Sequence, residues 1–455
     1  MAKYFGTYGI RGRLDTITPE FACSMSAAFG THLGGGTVVI GTDTRTSRDM
    51  LKSAAIAGLL SSGCEVIDLG VVPSPTVEFE VKRMKAAGGI IVTASHNPPD
   101  WNALKFMVKE GIGVTRENGE PIEQIFEARK QKCAAWNEIK SLTRYASAIS
   151  DHREAILKHV NAKAIAKRKP FLILDCGNGT AGKFAPRLFR SLGCKVVTMN
   201  GQPDGFFPGR NSEPTRDNVS ELISTVTSLK ADMGIAWDGD ADRVIFIDEK
   251  GGYVWGDKSF ALCAKIKLRK AKGKVVTTVA TSDVAKEATE AGGGTIEYVK
   301  VGAPYIAERM LELNAVLGGE EVGGVVWPEI SWGKDGLMTA AKIVEEFSAS
   351  GKPLSQLIGE LPEFFNAKSK VETGPKDKAK ILAEIRKSFS SEPGAKANTI
   401  DGVRLDFDDG WVIARPSGTE HYFRVFAEAK SQAKADEMLA RFKKRVEGAA
   451  KSVSG

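Results

Sequence analysis

The fold of this chain is decided by a unit that reads Phe171-Leu172-Ile173-Leu174-Asp175, then the loop Gly177-Asn178-Gly179, and later Gly193-Cys194-Lys195-Val196-Val197. The first and last of these runs are short and apolar, which predicts two strands. Residues 184–192 have the pattern of a helix, and Gly193 ends it. A strand, a polar loop, a helix and a second strand form a βαβ unit, which requires a parallel or mixed sheet.

The same unit occurs twice more along the chain. One copy spans 38–67, with its helix at 50–62, and another spans 275–296, with its helix at 284–291. This weak internal repeat predicts three similar α/β domains with mixed sheets. The loop after the first strand of each unit lies at the carboxyl end of that strand, where open α/β sheets place ligands.

The last part of the chain lacks the repeat. Its predicted elements are two helices and three strands, near 381–389, 432–449, 402–407, 411–414 and 423–427. A small C-terminal α+β domain is the simplest interpretation. We therefore expect four domains, at 1–148, 149–250, 251–366 and 367–455.

Composition excludes several classes of protein. The chain has 455 residues, 42% of them hydrophobic and 26% charged, with a net charge of +7. No nucleic-acid motif accompanies the basic residues, no signal peptide is visible and no apolar run is long enough to span a bilayer. The six scattered cysteines indicate free thiols in a reducing compartment. We expect a cytoplasmic protein that binds neither nucleic acid nor membranes, and its oligomeric state is not predicted.

A candidate nucleophile follows the apolar run Gly88-Gly89-Ile90-Ile91-Val92. The next residues, Thr93-Ala94-Ser95-His96-Asn97-Pro98-Pro99, are turn chemistry, so Ser95 and His96 lie on a loop at the end of a strand. A serine in a turn is equally typical of a simple hydrogen-bonding role. Its function therefore depends on what the rest of the chain places beside it.

A cluster of carboxylates lies between two predicted strands. Asp238-Gly239-Asp240-Ala241-Asp242-Arg243 follows the apolar run 233–237 and precedes 244–247. Three carboxylates in one tight loop repel each other unless a cation neutralises them. Ligands that are all oxygen indicate a hard ion, Mg²⁺ before Mn²⁺ or Ca²⁺. The alternative is a solvated acidic turn.

Anion-binding chemistry occurs near the C-terminus, in Arg415-Pro416-Ser417-Gly418-Thr419-Glu420. A guanidinium, two hydroxyl groups and a glycine amide on one turn can hold a phosphate, and Arg424 can add a second guanidinium. A polar hairpin is the alternative. Two loops near the N-terminus, at 7–12 and 41–47, carry weaker signals of the same kind. The segment 318–324 instead holds a carboxylate between glycines, which can approach sugar hydroxyls closely or belong to a flexible turn.

Taken together, these motifs resemble the α-D-phosphohexomutases, in particular the archaeal branch of phosphomannomutase/phosphoglucomutase and phosphoglucosamine mutase. Thr93–Lys105 resembles the family's phosphoserine loop, Asp238–Arg243 its metal loop, Gly319–Gly323 its sugar-selecting loop and Arg415–Glu420 its phosphate-binding loop. The resemblance covers almost the whole chain and implies four domains around a central cleft.

The resemblance implies a role for each matching residue. Ser95 would carry the phosphoryl group, and Asp238, Asp240 and Asp242 would hold Mg²⁺ together with an oxygen of phospho-Ser95. The groups expected to line the transferring phosphoryl group are Arg11, His96, Lys105 and Arg243. The groups expected to bind the sugar and its other phosphate are Glu320, Lys300, Arg415, Ser417, Gly418, Thr419 and Arg424. His96 and Lys300 are both candidates for the general base.

The implied activity is the interconversion of hexose 1-phosphate and hexose 6-phosphate, with mannose and glucose phosphates as substrates. The intermediate would be a hexose 1,6-bisphosphate, and glucose 1,6-bisphosphate would act as activator. Val322 departs from the usual serine or asparagine of the sugar loop, which leaves phosphoglucosamine mutase open as an alternative. Further alternatives are a phosphatase that uses a phosphoserine and an inactive sugar-phosphate-binding protein.

Overall fold

The computed structural model describes residues 3–375, 377–390, 392–417 and 421–453. They form four sheets of six, five, four and five strands. The first three sheets are mixed and the fourth is antiparallel throughout. The chain therefore has the predicted architecture of three α/β domains and a C-terminal α+β domain.

Domain I contains the first sheet, in the order β1-β5-β4-β2-β3-β6. Its strands are β1 (Ile10–Arg13), β2 (Gly36–Thr42), β3 (Cys64–Val71), β4 (Gly88–Val92), β5 (Trp101–Val108) and β6 (Leu142–Arg144). Its helices are α1 (Pro19–Leu33), α2 (Arg48–Ser61), α3 (Ser74–Arg83) and α4 (Arg116–Glu127). The strands β4, β2, β3 and β6 are parallel neighbours, whereas β5 runs antiparallel to β4.

Domain II contains the second sheet, in the order β11-β10-β9-β7-β8. Its helices are α5 (Ala148–Lys158), α6 (Ala162–Arg168), α7 (Ala181–Ser191) and α8 (Ser220–Leu229). Its strands are β7 (Phe171–Asp175), β8 (Lys195–Met199), β9 (Met233–Trp237), β10 (Val244–Asp248) and β11 (Tyr253–Val254). All five residues of β9 are buried, as are four of the five in β10.

Domain III contains the third sheet, in the order β13-β12-β14-β15. Its strands are β12 (Lys274–Thr278), β13 (Thr295–Val299), β14 (Leu317–Glu320) and β15 (Gly324–Val326). Its helices are α9 (Gly256–Lys270), α10 (Asp283–Ala291), α11 (Ala303–Leu313), α12 (Gly336–Ser350) and α13 (Leu354–Gly359).

Domain IV contains the fourth sheet, in the order β16-β20-β19-β18-β17. Its strands are β16 (Phe365–Glu372), β17 (Lys396–Asn398), β18 (Val403–Phe407), β19 (Gly410–Pro416) and β20 (Tyr422–Ala429). Its helices are α14 (Lys378–Ser390) and α15 (Gln432–Ser452). The predicted helices and three of these strands are present, and β16 and β17 are additional.

The first three sheets repeat one strand order, β5-β4-β2-β3, β10-β9-β7-β8 and β15-β14-β12-β13. In each, the central parallel strand leads through a short loop into an antiparallel neighbour. These three equivalent hairpin loops hold Ser95, the aspartates of 238–242 and the segment 321–323. The first strand of each unit runs parallel to the strand before the hairpin, so both of their loops emerge at one edge of the sheet.

Packing between domains fixes how these loops face each other. One buried cluster contains Phe189 and Trp237 of domain II together with Phe260 and Phe347 of domain III. Domains I and IV have separate cores. Within the described residues, no helix combines the length and apolar character needed to cross a membrane.

A buried imidazole lies where domains I, II and III meet. His152 on α5 is fully buried, and its Nε2 lies 2.9 Å from Asp335 Oδ2, beside the start of α12. Its Nδ1 lies 3.0 Å from Thr76 Oγ1 on α3. One side chain therefore connects all three α/β domains.

Candidate active site

The loop after β4 contacts the loop after β9 through their functional side chains. Ser95 Oγ donates a hydrogen bond to Asp238 Oδ2 at 2.7 Å, and only 3% of Ser95 is exposed. Its φ of 51° lies in the left-handed region, which costs a non-glycine residue energy unless neighbours impose it. The candidate nucleophile is thus held in a strained turn directly against the carboxylate cluster.

The three aspartates of the predicted metal loop lie together in a group that could hold a metal ion. Asp238, Asp240 and Asp242 are each at most 3% exposed, and one oxygen of each lies within 4.8 Å of the others. Asp240 Oδ1 and Asp242 Oδ1 are buried without a hydrogen-bond partner among the described residues. Unsatisfied buried carboxylate oxygens are costly, and an Mg²⁺ ion would satisfy them. The donor set therefore fits this ion.

Repulsion and burial act on these carboxyl groups in different ways. Burial, with the charges of Asp240 and Asp242, raises the pKa of Asp238 well above its ordinary value. Burial acts in the same direction on Asp240, but Lys105 overrides it and lowers that pKa. Neighbouring aspartates therefore favour the neutral form of Asp238, whereas Lys105 keeps Asp240 ionised.

Cations surround the cluster on several sides. Lys105 is 1% exposed, and its Nζ lies 2.8 Å from Asp240 Oδ2 and 3.7 Å from Asp242 Oδ2. The backbone N–H of Arg243 donates to Asp238 Oδ1 at 3.2 Å, and its side chain pairs with Glu213 at 3.2 Å. These groups can neutralise the charge that develops on a transferring phosphoryl group.

His96 and Arg11 contact the Ser95 loop. His96 Nδ1 is 3.3 Å from Ser95 Oγ, and Arg11 Nη1 donates to Asn97 Oδ1 at 2.5 Å. Burial, with the charges of Arg243 and Arg11, lowers the pKa of His96 well below its ordinary value. The imidazole is therefore neutral near pH 7 and can accept a proton.

A lysine that the sequence did not single out connects the sugar loop to the metal loop. Lys334 Nζ lies 2.6 Å from Glu320 Oε1 at the end of β14 and 3.4 Å from Asp242 Oδ2. Lys334 is 4% exposed and Glu320 is 7% exposed. Burial would raise the pKa of Glu320, but Lys334 and Arg243 lower it, so the carboxylate stays ionised. Lys334 is 14 residues from Glu320 in sequence and has no motif around it, which explains why it was missed.

Val322 lines a pocket beside this pair, between domains II and III. Its other lining groups include Ile245, Tyr253, Trp255 and Arg243. Glu213, Thr215 and Glu321 also line the pocket, so charged and polar groups lie near Val322, whose own side chain offers no hydrogen bond.

A row of cations crosses three strands of domain IV, where the predicted phosphate-binding loop starts. Arg415 on β19 is paired in register with Arg424 on β20, which is paired with Lys370 on β16. Like charges directly opposite each other destabilise a sheet unless an anion lies between them. Lys378 Nζ donates to the carbonyl of Ser417 at 2.8 Å. The predicted residues Gly418 and Thr419 lie outside the described residues.

Contacts connect this cation row to domains III and I. Asp401 Oδ2 lies 2.9 Å from Arg415 Nη2 and accepts the backbone N–H of Val301 at 3.1 Å. The neighbouring Gly302 lies so close to domain I that an added Cβ would be 2.3 Å from Thr7 Cγ2. The 300–302 loop therefore lies between the cation row of domain IV and Thr7 of domain I.

The structure divides the predicted site residues into two groups. Contacts within one centre join Ser95, His96, Lys105, Arg11, Arg243, Glu320 and the three aspartates. Arg415, Ser417 and Arg424 lie apart from this centre on domain IV. Lys300 contacts neither group, because its Nζ pairs with Glu117 of domain I at 2.8 Å. The predicted site residues therefore lie in two separate regions, one formed by domains I, II and III and the other on domain IV.

Comparison with known proteins matches the chain to one family in four consecutive segments. They are the alpha/beta/alpha domains I, II and III and the C-terminal domain of phosphoglucomutase/phosphomannomutase, at residues 2–132, 150–252, 255–365 and 368–445. The segments follow the order of the four sheets.

Individual proteins give the same result. A phosphoglucomutase/phosphomannomutase of Thermococcus kodakarensis is 45% identical over 446 residues, which are 96% of this chain and 97% of the relative. A probable phosphoglucosamine mutase of Methanopyrus kandleri is 39% identical, over 97% of both chains. The crystal structure of a phosphoglucomutase/phosphomannomutase family protein from Burkholderia thailandensis superimposes with a TM-score of 0.88 and 27% identity, covering 100% of this chain and 99% of that one.

Proposed function

The chain belongs to the phosphoglucomutase/phosphomannomutase family and is a phosphohexomutase, and from that premise we propose that Ser95 is the residue that carries its phosphoryl group. The observation that carries the proposal is the 2.7 Å hydrogen bond from Ser95 Oγ to Asp238 Oδ2. It joins a nucleophile and a carboxylate cluster that lie 143 residues apart in sequence. Few roles other than group transfer require a buried serine at such a cluster.

The metal belongs to the same centre. Asp238, Asp240 and Asp242 would hold Mg²⁺, which would neutralise charge on the phosphoryl oxygens. Lys105 and Arg243 add positive charge from neighbouring positions. Phosphoryl transfer requires mainly alignment and charge neutralisation, and this centre offers both.

The reaction would proceed in two transfers. In the first, the bond from phosphorus to Ser95 Oγ breaks while a bond forms to a free hydroxyl oxygen of a hexose monophosphate; the hydroxyl proton passes to a base, and Ser95 Oγ takes up a proton. In the second, the hexose 1,6-bisphosphate turns over, Ser95 Oγ gives up that proton as it accepts the other phosphoryl group, and the released sugar oxygen takes one up. His96 Nδ1, 3.3 Å from Ser95 Oγ, is placed to exchange the proton of Ser95, whereas Lys300 pairs with Glu117.

Substrate binding would use both anion-binding regions. Glu320, held by Lys334, would accept hydrogen bonds from sugar hydroxyls. Arg415, Arg424, Ser417, Gly418 and Thr419 would hold the phosphate that is not being transferred, in either orientation of the sugar. We propose glucose and mannose phosphates as substrates, with glucose 1,6-bisphosphate as activator.

Phosphoglucosamine mutase activity is the second candidate. It is favoured by the relative of Methanopyrus kandleri and by Val322, which removes one hydrogen-bonding group from the sugar loop. The two candidates share the same chemistry at Ser95. They differ only in the sugar that Glu320 and its neighbours accept.

A coupled assay tests both candidates. Glucose 1-phosphate, mannose 1-phosphate and glucosamine 1-phosphate are offered separately with glucose 1,6-bisphosphate and Mg²⁺. Ser95→Ala should abolish isomer formation, whereas Ser53→Ala on the exposed side of α2 should not change it. Near-normal turnover in Ser95→Ala would contradict the assignment, and release of free phosphate without isomer would indicate a phosphatase.

A further inference from the structure

Arg45 is a buried arginine next to the Ser95 loop, and none of the roles above uses it. It follows β2, whose last residue, Thr42, is paired in parallel register with Val92 at the end of β4. Arg45 and Ser95 each lie three residues beyond these partners, so both loops leave the sheet at one edge. Arg45 is only 2% exposed, and an arginine is almost never buried to this extent unless its charge is paired.

Every N–H group of the Arg45 guanidinium has an acceptor. Nε donates to Asp43 Oδ2 at 3.0 Å. The other four donors reach backbone carbonyl oxygens in the Ser95 loop, those of Ser95 at 3.1 Å, Asn97 at 2.7 Å, Trp101 at 2.9 Å and Pro98. A guanidinium offers five donors in a rigid plane, so no other side chain could bind all of these acceptors at once.

We propose that Arg45 is a positioning residue that holds the Ser95–Trp101 loop in the conformation that aims Ser95 Oγ at the metal loop. This role rests on the proposed function of Ser95. The loop needs such support because Ser95 has a φ of 51° and is buried outside the strands, so its carbonyl oxygen has no place in a strand ladder. Asp43 fixes the guanidinium and also accepts a hydrogen bond from Thr93 Oγ1 at 2.7 Å, so both ends of the strained turn are held.

Arg45 also aligns domain I with domain II. Its guanidinium lies 5.3 Å from the centre of the Phe207 ring, and the carbonyl oxygen of Ser95 also accepts a hydrogen bond from Ser212 Oγ at 3.0 Å. Gly205 packs so closely that an added Cβ would lie 2.5 Å from the backbone nitrogen of Thr46. In the same segment, Arg210 Nη2 donates to the carbonyl oxygen of Trp237, the residue before Asp238, at 2.7 Å, so these contacts connect the Ser95 loop to the metal loop.

The test uses Arg45→Lys and Arg45→Ala in the full chain, with Arg48→Ala as the matched control. Arg48 begins α2, is about one-third exposed in its side chain and donates to the carbonyls of Thr44 at 3.0 Å and Arg45 at 3.3 Å, so it controls for loss of an arginine that supports the same backbone without reaching the Ser95 loop. We expect Arg45→Lys to lower kcat about 100-fold, because small misplacements of a reacting group have effects of that size. KM for the hexose phosphate should change little, since Arg45 contacts no substrate-binding residue.

Chemical rescue separates positioning from a general loss of fold. Guanidinium chloride at concentrations far below those that unfold the protein should restore part of the activity of Arg45→Ala. It should restore none in Ser95→Ala and should leave Arg48→Ala unchanged. The thermal midpoint of each variant is measured alongside, so that a folding defect is seen directly.

The rate at which glucose 1,6-bisphosphate phosphorylates Ser95, followed by intact mass, is the second readout. It should fall in Arg45→Lys in proportion to kcat. A wild-type rate and kcat in Arg45→Lys would overturn the inference, as would activity that falls only with the thermal midpoint and is not rescued by guanidinium. If the wild-type protein converts no hexose phosphate, the proposed function fails, whereas the phosphorylation rate still decides the role of Arg45.

Discussion

The aliphatic chain of Lys334 covers Gly324 so closely that a Cβ on the glycine would lie 2.3 Å from Lys334 Cδ. Gly324 begins β15, directly after the sugar loop. The glycine therefore creates the space through which Lys334 reaches Glu320 and Asp242. Two positions with no recognisable motif thus determine where the sugar loop stands relative to the metal loop.

Gly324→Ala should displace Lys334 and weaken its contact with Glu320. A hydrogen bond to a charged group contributes about 1.5–3 kcal/mol, so we expect kcat/KM to fall by about 10- to 100-fold. Gly448→Ala on α15 is the matched control, since an added Cβ there meets nothing within 4 Å. Steady-state kinetics of both variants check this, and unchanged kinetics in Gly324→Ala would show that Lys334 is not required there.

Mg²⁺ should stabilise the folded protein. The buried oxygens of Asp240 and Asp242 that lack partners gain ligand contacts when the ion binds. A ligand at 100 times its Kd adds about 2.7 kcal/mol to the free energy of unfolding. Thermal unfolding with and without a chelator measures this shift, and Asp242→Asn should reduce it strongly. An equal shift in both proteins would place the ion elsewhere.

Glu78 on α3 should make stability depend on pH. Burial raises the pKa of Glu78 to about 8, and the hydroxyl group of Tyr8 donates to its Oε1 at 2.8 Å. Since the folded state holds the proton more tightly than the unfolded state, the free energy of unfolding falls as pH rises from 4.5 to about 8 and then levels off.

Glu78→Gln removes this titration. Between pH 6 and pH 8, the free energy of unfolding of the wild-type protein should fall by about 2 kcal/mol more than that of the variant. Urea unfolding at both pH values gives the difference. Glu154→Gln, at an exposed position of α5, should behave like the wild-type protein. The same pH dependence in Glu78→Gln would show that Glu78 is already ionised at pH 6.

Val322→Asn should alter the choice of sugar. The amide would replace an apolar side chain with a hydrogen-bonding group, in the pocket that Trp255 and Tyr253 also line. One added hydrogen bond is worth about 0.5–1.5 kcal/mol, so kcat/KM for the accepted hexose phosphate should change about two- to tenfold relative to the other sugars. Val325→Ala, in the buried strand β15, is a control for packing effects, because it should lower stability without changing the ratio between sugars.

The repeated α/β domains were predictable because each unit combines apolar strands with a polar loop and a glycine stop. The strands β6 and β17 were not, since they are short, exposed edge strands without an apolar pattern. Residues 142–144 form β6 because they pair in parallel with β3, a relation that their own sequence does not reveal.

The metal ligands and Ser95 were visible in sequence because their chemistry is concentrated in short motifs. Lys334 and Arg45 were harder to find, because their roles come from parallel strand register and from packing between domains. Cross-strand neighbours such as Lys370 and Arg424 become adjacent only when the order of the strands is known. The residue types of the site could be predicted from the sequence, but the distances between the elements that carry them could not.

Domains II and III cannot lose their packing independently, because Trp237 and Phe260 belong to one buried cluster. In a calorimeter they should melt as a single cooperative unit, while the main cores of domains I and IV permit transitions of their own, with only the small cluster of Val279, Trp411, Ile413 and Phe426 joining domain IV to domain III. The metal loop and the sugar loop are therefore rooted in the same folding unit. Partial unfolding at either end of the chain would leave these two loops in register with each other.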